Sequence, residues 1–407
     1  MKKYIRLTSS LMVCLMAVSC GGNNAPKDLM AEAEELQRSM LTLDTHCDTP
    51  MRLWSSSYDI TKDNPSGCID FPKMREGALD MECFAVFTSQ RGRDTAFINS
   101  AYEKGLQTLD KIWEVAEQNS DIVGIAQCPD DMYALKKAGK LIIMPTVENS
   151  TIIGDDLSRL HTLYDKGIRM FGLCHSYNND ICDSSSDAAG PEFDGLSPLG
   201  EQVVAELNKI GAMIDVSHAS DSTFYDVVRL SKTPIVASHS SVRSVANHDR
   251  NFDDNMLLAL KENGGVIQIC ILDKYVKNFP VNEQYNAEMA AAREALSAVP
   301  AENTAMRDSM RMAMSQIKAK YPDQNAYVKD YVDHIEYVIN KIGIDYVGIG
   351  TDFDGGGGVA DCKDASQLVE VTAELLRRGY DREQIEKIWG GNFIRVFNEV
   401  IAYKNSL

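Results

Sequence analysis

From residue 41 onward, short and almost wholly apolar runs alternate with longer stretches in which apolar residues recur at helical spacing. Runs at 83–87, 141–147, 169–174, 212–217, 234–238, 265–271 and 346–351 read as strands, and the strand-like start of 41–50 precedes them. Strands separated by helical stretches, with no internal repeat and no low-complexity linker, predict an α/β fold of β–α units throughout. Residues 27–40 are charged and helical in period. Residues 274–340, just before the last predicted strand, form a long helical insertion, rich in Met and Ala with charged faces. The pattern there predicts a packing or dimer element over the flank of the fold.

Several apolar runs end on a side chain that can bind metal or move protons: Glu148, His175, His218, His239 and Asp352. The stretch 41–50 reads Leu-Thr-Leu-Asp-Thr-His-Cys-Asp-Thr-Pro, and residues two apart on a strand project to the same side, so His46 and Asp48 leave its end together. In a closed barrel of parallel strands every C-terminal end opens on one face, so these residues converge on one mouth. His46, Asp48, Glu148, His218 and His239 then supply three imidazoles and two carboxylates, a donor set suited to two zinc-like ions. With Glu148 as the bridge, His46 and Asp48 would hold one ion and His218 and His239 the other. Two ions roughly 3.5 to 4 Å apart can share a bridging water, present it as hydroxide to an amide or ester carbonyl, and so hydrolyse it. Asp352 is the candidate general base and acid, and His175 the candidate oxyanion donor. The other three histidines, His161, His248 and His334, fall in helical or loop contexts where exposure or capping is expected.

Composition narrows the partners. The chain has 407 residues, 44 % apolar and 8 % aromatic, enough for one large α/β barrel or two ordinary domains. Its 41 Lys and Arg against 59 Asp and Glu give a net charge of -18, which repels nucleic acid and anionic lipid surfaces. Lys2, Lys3 and Arg6 precede an apolar segment at 11–18, the layout of a secretory leader too short to span a bilayer. Ala17-Val18-Ser19-Cys20 followed by Gly21-Gly22-Asn23-Asn24 resembles the lipobox of bacterial lipoproteins. Residues 1–20 are therefore expected to be a lipoprotein signal, 21–40 a tether and leading helix, and 41–407 a single catalytic domain. The mature protein would be exported and held in the bacterial cell envelope by a lipid on Cys20. The eight cysteines after the leader are scattered without a CxxC, so most are expected to be small buried apolar residues, with one or two disulfides left open.

In order and spacing, further motifs accompany the candidate ligands: Asp44-Thr-His46-Cys-Asp48, residues 77–87, Glu148, His175, Gly195-Leu-Ser-Pro-Leu-Gly200, Asp215-Val-Ser-His218, Ser238-His239-Ser-Ser241, Arg250-Asn251, Gly348-Ile-Gly-Thr-Asp352-Phe-Asp354-Gly355 and Gly390-Gly-Asn-Phe393. Together they make residues 41–397 resemble the membrane dipeptidase (renal dipeptidase) family of the metal-dependent amidohydrolases. That resemblance implies a (β/α)8 TIM barrel of the metallo-dependent hydrolase type, two Zn2+ per chain and hydrolysis of dipeptides with free ends, often with a D-residue at the C-terminal position. It implies His46 and Asp48 on one zinc, Glu148 between both, and His218 and His239 on the other. It puts His175 and Arg250 on the substrate and Asp352 in proton transfer, and it implies a homodimer. A guanidinium suits the Arg250 role, since it can clamp a carboxylate with two parallel hydrogen bonds.

The sequence departs from the family pattern at Asn149, where Gly usually follows the bridging Glu. Asn can adopt the left-handed backbone and would add a polar side chain at the mouth. Cys47 stands where Asn is common, and Cys174 precedes His175. Neither removes a ligand. The run Gly355 to Gly358 reads as a flexible or tightly turning loop beside the site, without the Lys-Ser/Thr of a phosphate cradle. Two rival readings remain: another binuclear amidohydrolase, and a lipid-anchored binding protein on an inactive barrel. The first commonly bridges its metals with a carboxylated lysine, where this chain has Glu148; the second would be expected to lose a ligand or Asp352, and none is missing.

Overall fold

The computed structural model describes residues 29–88, 90, 92–300 and 303–407. The leader, Cys20 and the tether up to residue 28 lie outside the described residues. Nine strands follow in order: β1 (Leu43–Cys47), β2 (Met81–Phe87), β3 (Val123–Ile125), β4 (Leu141–Glu148), β5 (Met170–Gly172), β6 (Met213–Asp215), β7 (Val236–Ser240), β8 (Val266–Ile269) and β9 (Val347–Ile349). All pair in parallel in the order β1-β2-β4-β5-β6-β7-β8-β9, with the short β3 added beside the start of β4. The circle closes just beyond the strands. Asp352 N donates to His46 O at 3.1 Å and Asp48 N to Phe353 O at 2.9 Å, joining β9 to β1 through the residues the sequence marked for chemistry. The result is the expected eight-stranded (β/α)8 barrel.

Alternation along the strands explains its two apolar layers. On β4, Leu141 and Ile143 face outward into the cluster shared with helix residues such as Leu109 and Ile112. Their neighbours Ile142 and Met144 belong to a second cluster with Met81, Met170 and Met213. The C-terminal helix Asn392–Asn405 adds Phe393, Phe397 and Val400 to that second cluster, so it packs against the inward-facing side chains. The helices between strands carry their own signals. Ser197 accepts from Gly200 N to start Pro198–Ile210, and Asp253 accepts from Met256 N to start Asp254–Asn263. Both end on a left-handed glycine, Gly211 (φ 77°) and Gly264 (φ 80°), which turns the chain into the next strand.

The insertion departs from expectation. Its last helix, Val328–Ile342, buries Tyr331, Val332, Ile335 and Val338 and belongs to the layer around the barrel. Glu283–Ser297 and Thr304–Lys320 stand apart, and the second lines a cavity at the strand-end mouth instead of lying on the flank. The first buries Met289 alone and the second has no buried residue among those described, so neither has an apolar face to lay on a flank. Polar ties hold the pair instead, including Ser66 Oγ to Asp308 at 3.1 Å and Lys318 Nζ to Asp273 at 2.5 Å.

His334 also departs. It is fully buried in Val328–Ile342, where Nδ1 accepts from Val242 N and Nε2 donates to Val276 O, each at 3.0 Å. His161 is exposed beside Glu206, and His248 caps a turn by accepting from Arg250 N at 3.1 Å. All eight cysteines of the described residues are free thiols, and six are buried. No helix among the described residues is long and apolar enough to cross a membrane.

Candidate metal centre

Six strand ends deliver the predicted residues to one mouth. Glu148, the last residue of β4, is buried and places its two oxygens toward different histidines. Oε2 lies 3.6 Å from His46 Nε2, whereas Oε1 lies 3.2 Å from His218 Nε2 and 3.7 Å from His239 Nε2. The carboxylate thus stands between His46 on one side and His218 and His239 on the other. Donor atoms of His46, Glu148 and His239 lie within 4.8 Å of one another, as do those of Glu148, His175 and His218 and those of His46, Asp48 and Asp352.

Chemistry and orphaned atoms both fit divalent metal. Among the described residues, His46 Nε2, Asp48 Oδ1, Glu148 Oε2 and His218 Nδ1 are buried without a hydrogen-bond partner, a costly state for polar atoms unless a cation completes them. His218 Nε2 and His239 Nε2 approach to 2.9 Å, and the His46 and His239 rings stack with centroids 3.8 Å apart. Burial holds the imidazoles neutral: His46 is pushed down to about 3, and His218 and His239 well below their ordinary value. Lone pairs are thus available for a metal at neutral pH. The carboxylates move the other way. Burial, then repulsion from Asp354, raises Asp48 to about 7; burial, then Asp48 and Asp352, raises Glu148. A cation among them would remove that penalty.

Orientation comes from behind. Asp215 on β6 accepts from Ser238 Oγ at 2.6 Å, and Ser238 Oγ lies 2.8 Å from His239 Nδ1. With the hydroxyl proton spent on Asp215, Ser238 accepts from Nδ1–H, which leaves the His239 Nε2 lone pair facing Glu148. Among the described residues His175 has no such brace on its ring. It is partly exposed, 3.7 Å from Glu148 Oε1 and edge-on to Phe87 at 4.9 Å, and burial followed by Arg250 lowers it to about 4. A neutral, half-open imidazole at the rim suits contact with a substrate.

Asp352 sits in the left-handed region at φ 60°, and His218 at φ 70°. Such a conformation in a non-glycine residue stores strain that the surroundings must hold. Around Asp352 the holding is visible: Gly355, Gly356 and Gly357 all donate their N–H to its carbonyl, at 3.2, 3.1 and 2.7 Å. The glycine run is thus a tight turn, and a Cβ on Gly355 would collide with the carboxylates of both Asp352 and Asp48. The Asp352 carboxyl lies 3.9 Å from His46 Nε2, and burial, then Asp48, raises its pKa.

Arg250 is 4 % exposed. Its Nη2 donates to His239 O at 3.1 Å and its Nη1 to Ser240 Oγ at 3.4 Å, while Nε has no partner. No carboxylate among the described residues pairs with it. Asn149 has the expected positive φ of 75°, yet its side chain is not at the mouth. It is fully buried, donating to Thr88 O at 2.9 Å and accepting from Thr151 N and Oγ1, because the backbone turn after β4 directs it inward under the loops.

Three contributors were not assigned roles from sequence. Asp44, buried two residues before His46, accepts from Thr351 N at 2.7 Å and braces the Asp352 turn; its signal was the shared strand face. Asp354 accepts from Arg52 Nε at 2.6 Å and Thr49 Oγ1 at 2.8 Å, tying the loop after β9 to that after β1. Gln90 accepts from His175 N at 3.0 Å and donates to Tyr177 O at 3.1 Å, and no pattern in the sequence marks it.

Comparison with known proteins agrees with this architecture. The family model described as membrane dipeptidase, peptidase family M19, matches residues 30–407. The dipeptidase tcpJ of Claviceps purpurea is 29 % identical over 348 residues, covering 84 % of this chain and 71 % of that one. The dipeptidase ataJ of Aspergillus terreus is 28 % identical over 400 residues, covering 91 % and 87 %. Among solved structures, the probable dipeptidase PvdM from Pseudomonas aeruginosa superposes with a TM-score of 0.81 at 33 % identity, covering 93 % of this chain and all of that one. The chain belongs to the membrane dipeptidase family, peptidase family M19, and is a metal-dependent dipeptidase.

Proposed function

We propose that this dipeptidase hydrolyses dipeptides bearing a free amino end and a free carboxylate, with an L- or D-residue at the C-terminal position, at a centre of two zinc ions. His46 and Asp48 would hold one ion, His218 and His239 the other, with Glu148 between them. When bound, the ions supply Lewis acidity that polarises the scissile carbonyl and makes hydroxide accessible near neutral pH. The protein's own groups do the rest. Arg250 binds the substrate carboxylate through its guanidinium and so fixes the register of the peptide bond. His175, neutral at pH 7, offers a ring N–H to the oxygen on which charge develops. The carboxylate of Asp352 takes a proton from the attacking water and gives it to the leaving amine.

The observation that carries this reading is Arg250, a buried guanidinium without a carboxylate beside a convergent donor set. A second copy, export and a lipid on Cys20 belong to the same proposal, the last two resting on residues 1–24. The test is a zinc-loaded protein assayed on Ala-Ala, Ala-D-Ala, N-acetyl-Ala-Ala and Ala-Ala amide. Cleavage of the first two with loss of activity on both blocked forms is expected; equal cleavage of the amide would remove Arg250 from the carboxylate.

A further inference from the structure

Beyond Asp48 the mouth widens into a cavity of about 1230 Å3 that runs under the insertion helix Thr304–Lys320. Its walls are mixed. Met51, Trp54, Tyr58, Phe87 and Phe97 give apolar and aromatic surface. Three acids face it, Asp48, Asp354 and Asp308, against four bases, Arg52, Lys104, Arg307 and Arg311.

The charges do not cancel. Asp354 is paired with Arg52 at 2.6 Å and Asp308 with Arg311 at 2.9 Å, while Asp48 belongs to the metal donor set. Lys104 and Arg307 remain. Lys104 Nζ lies over the Trp54 ring, 2.9 Å from its centroid, and Arg307 Nη1 donates to Val299 O at 2.9 Å and Leu296 O at 3.4 Å. Among the described residues neither has a carboxylate partner, in a chain whose net charge is -18. Two cations without a carboxylate partner among the described residues, lining one cavity of an acidic protein, favour an anionic occupant.

The cavity's position says which part of the substrate enters. Arg250 is anchored to His239 and Ser240, on the His218 and His239 side of Glu148, whereas the cavity opens from Asp48 on the other. With the C-terminal carboxylate at Arg250, the amino-terminal residue faces the Asp48 side. We propose that this cavity is a subsite for the amino-terminal side chain, and that Lys104 and Arg307 select a side chain carrying a carboxylate. The inference rests on the dipeptidase reading and on Arg250 as the carboxylate clamp.

The experiment compares kcat/KM for Glu-Ala, Gln-Ala, Lys-Ala and Ala-Ala on the zinc-loaded protein, its Lys104→Gln/Arg307→Gln double variant and Arg307→Glu. Glu-Ala and Gln-Ala differ only in charge, so their ratio on one preparation is independent of how much of it is folded. The parent should prefer Glu-Ala by about tenfold at low salt, the worth of one charge-assisted contact. That ratio should shrink as salt is raised and fall toward unity in the double variant. Arg307→Glu should shift preference toward Lys-Ala. A parent ratio at or below unity, or one unchanged in the double variant, overturns the subsite while leaving the dipeptidase reading intact, provided Ala-Ala is cleaved. If none of the four is cleaved, the dipeptidase reading falls and the subsite with it.

Discussion

At Arg250 no carboxylate among the described residues pairs with the guanidinium, which the proposed function assigns to the substrate carboxylate. A guanidinium 4 % exposed, bonded to one carbonyl and one hydroxyl, leaves donors over for a carboxylate from outside. Lysine keeps the charge but loses the planar fork, so Arg250→Lys is expected to raise KM about a hundredfold, the ~2–3 kcal/mol of a two-point charge-assisted contact, with kcat much less affected. Steady-state kinetics on Ala-Ala with metal content measured in parallel would check it; a loss confined to kcat would contradict the clamp. At this scale the residues that meet at the mouth were legible, since His46, Asp48, Glu148, His218, His239 and Asp352 each follow or end an apolar run. What braces them was not. Asp215, Ser238 and Gln90 act through contacts between strands and loops far apart in sequence, and no local pattern encodes which hydroxyl meets which imidazole.

The turn after β4 shows how an element carries the site. Asn149 holds φ 75° and spends its amide on Thr88 and on the short helix Ser150–Ile153 that follows. Asn149→Ala keeps Glu148 but leaves a Cβ in the left-handed region without the side-chain hydrogen bonds that hold it there, and orphans buried partners. It should lower stability by about 2–4 kcal/mol, seen as a fall in thermal midpoint, with Asn149→Gly recovering the backbone share of the loss, ~1 kcal/mol. A midpoint unchanged in both would show that the turn does not depend on this side chain. Strands were readable because runs such as 141–147 are apolar on both faces, as barrel strands between core and helices must be. β3 was missed: three residues, Val123–Ile125, are too few to form a pattern. The insertion was misplaced because helical period marks a helix without saying where it packs, and these two helices are held by polar ties.

Over the whole molecule, burial sets how the fold answers to pH and to metal. His334 lies away from the centre, bonded through both nitrogens, and burial pushes it down to about 4 from the ordinary 6.5. The unfolded chain binds that proton more readily, so the contribution is complete above pH 6.5 and is lost as pH falls toward 4, roughly 3 kcal/mol across that window. Thermal midpoints of the parent and His334→Gln between pH 7 and 4 should therefore converge as pH falls; parallel curves would contradict the assignment. The α/β class was legible from sequence because alternation of strand and helix is a property of every segment, whereas the closed (β/α)8 barrel came from the family resemblance. The cavity under the insertion was not, since it exists only where the helix Thr304–Lys320 meets the loops after β1 and β2. The proposed function puts metal binding and proton transfer in one mouth, and Asp352→Asn separates them. Metal content and Ala-Ala turnover should be measured together on the parent and this variant. About two zinc ions per chain in both, with turnover reduced about a thousandfold in the variant, is the predicted result. A variant that keeps its turnover, or a parent that hydrolyses Ala-Ala without metal, would contradict it.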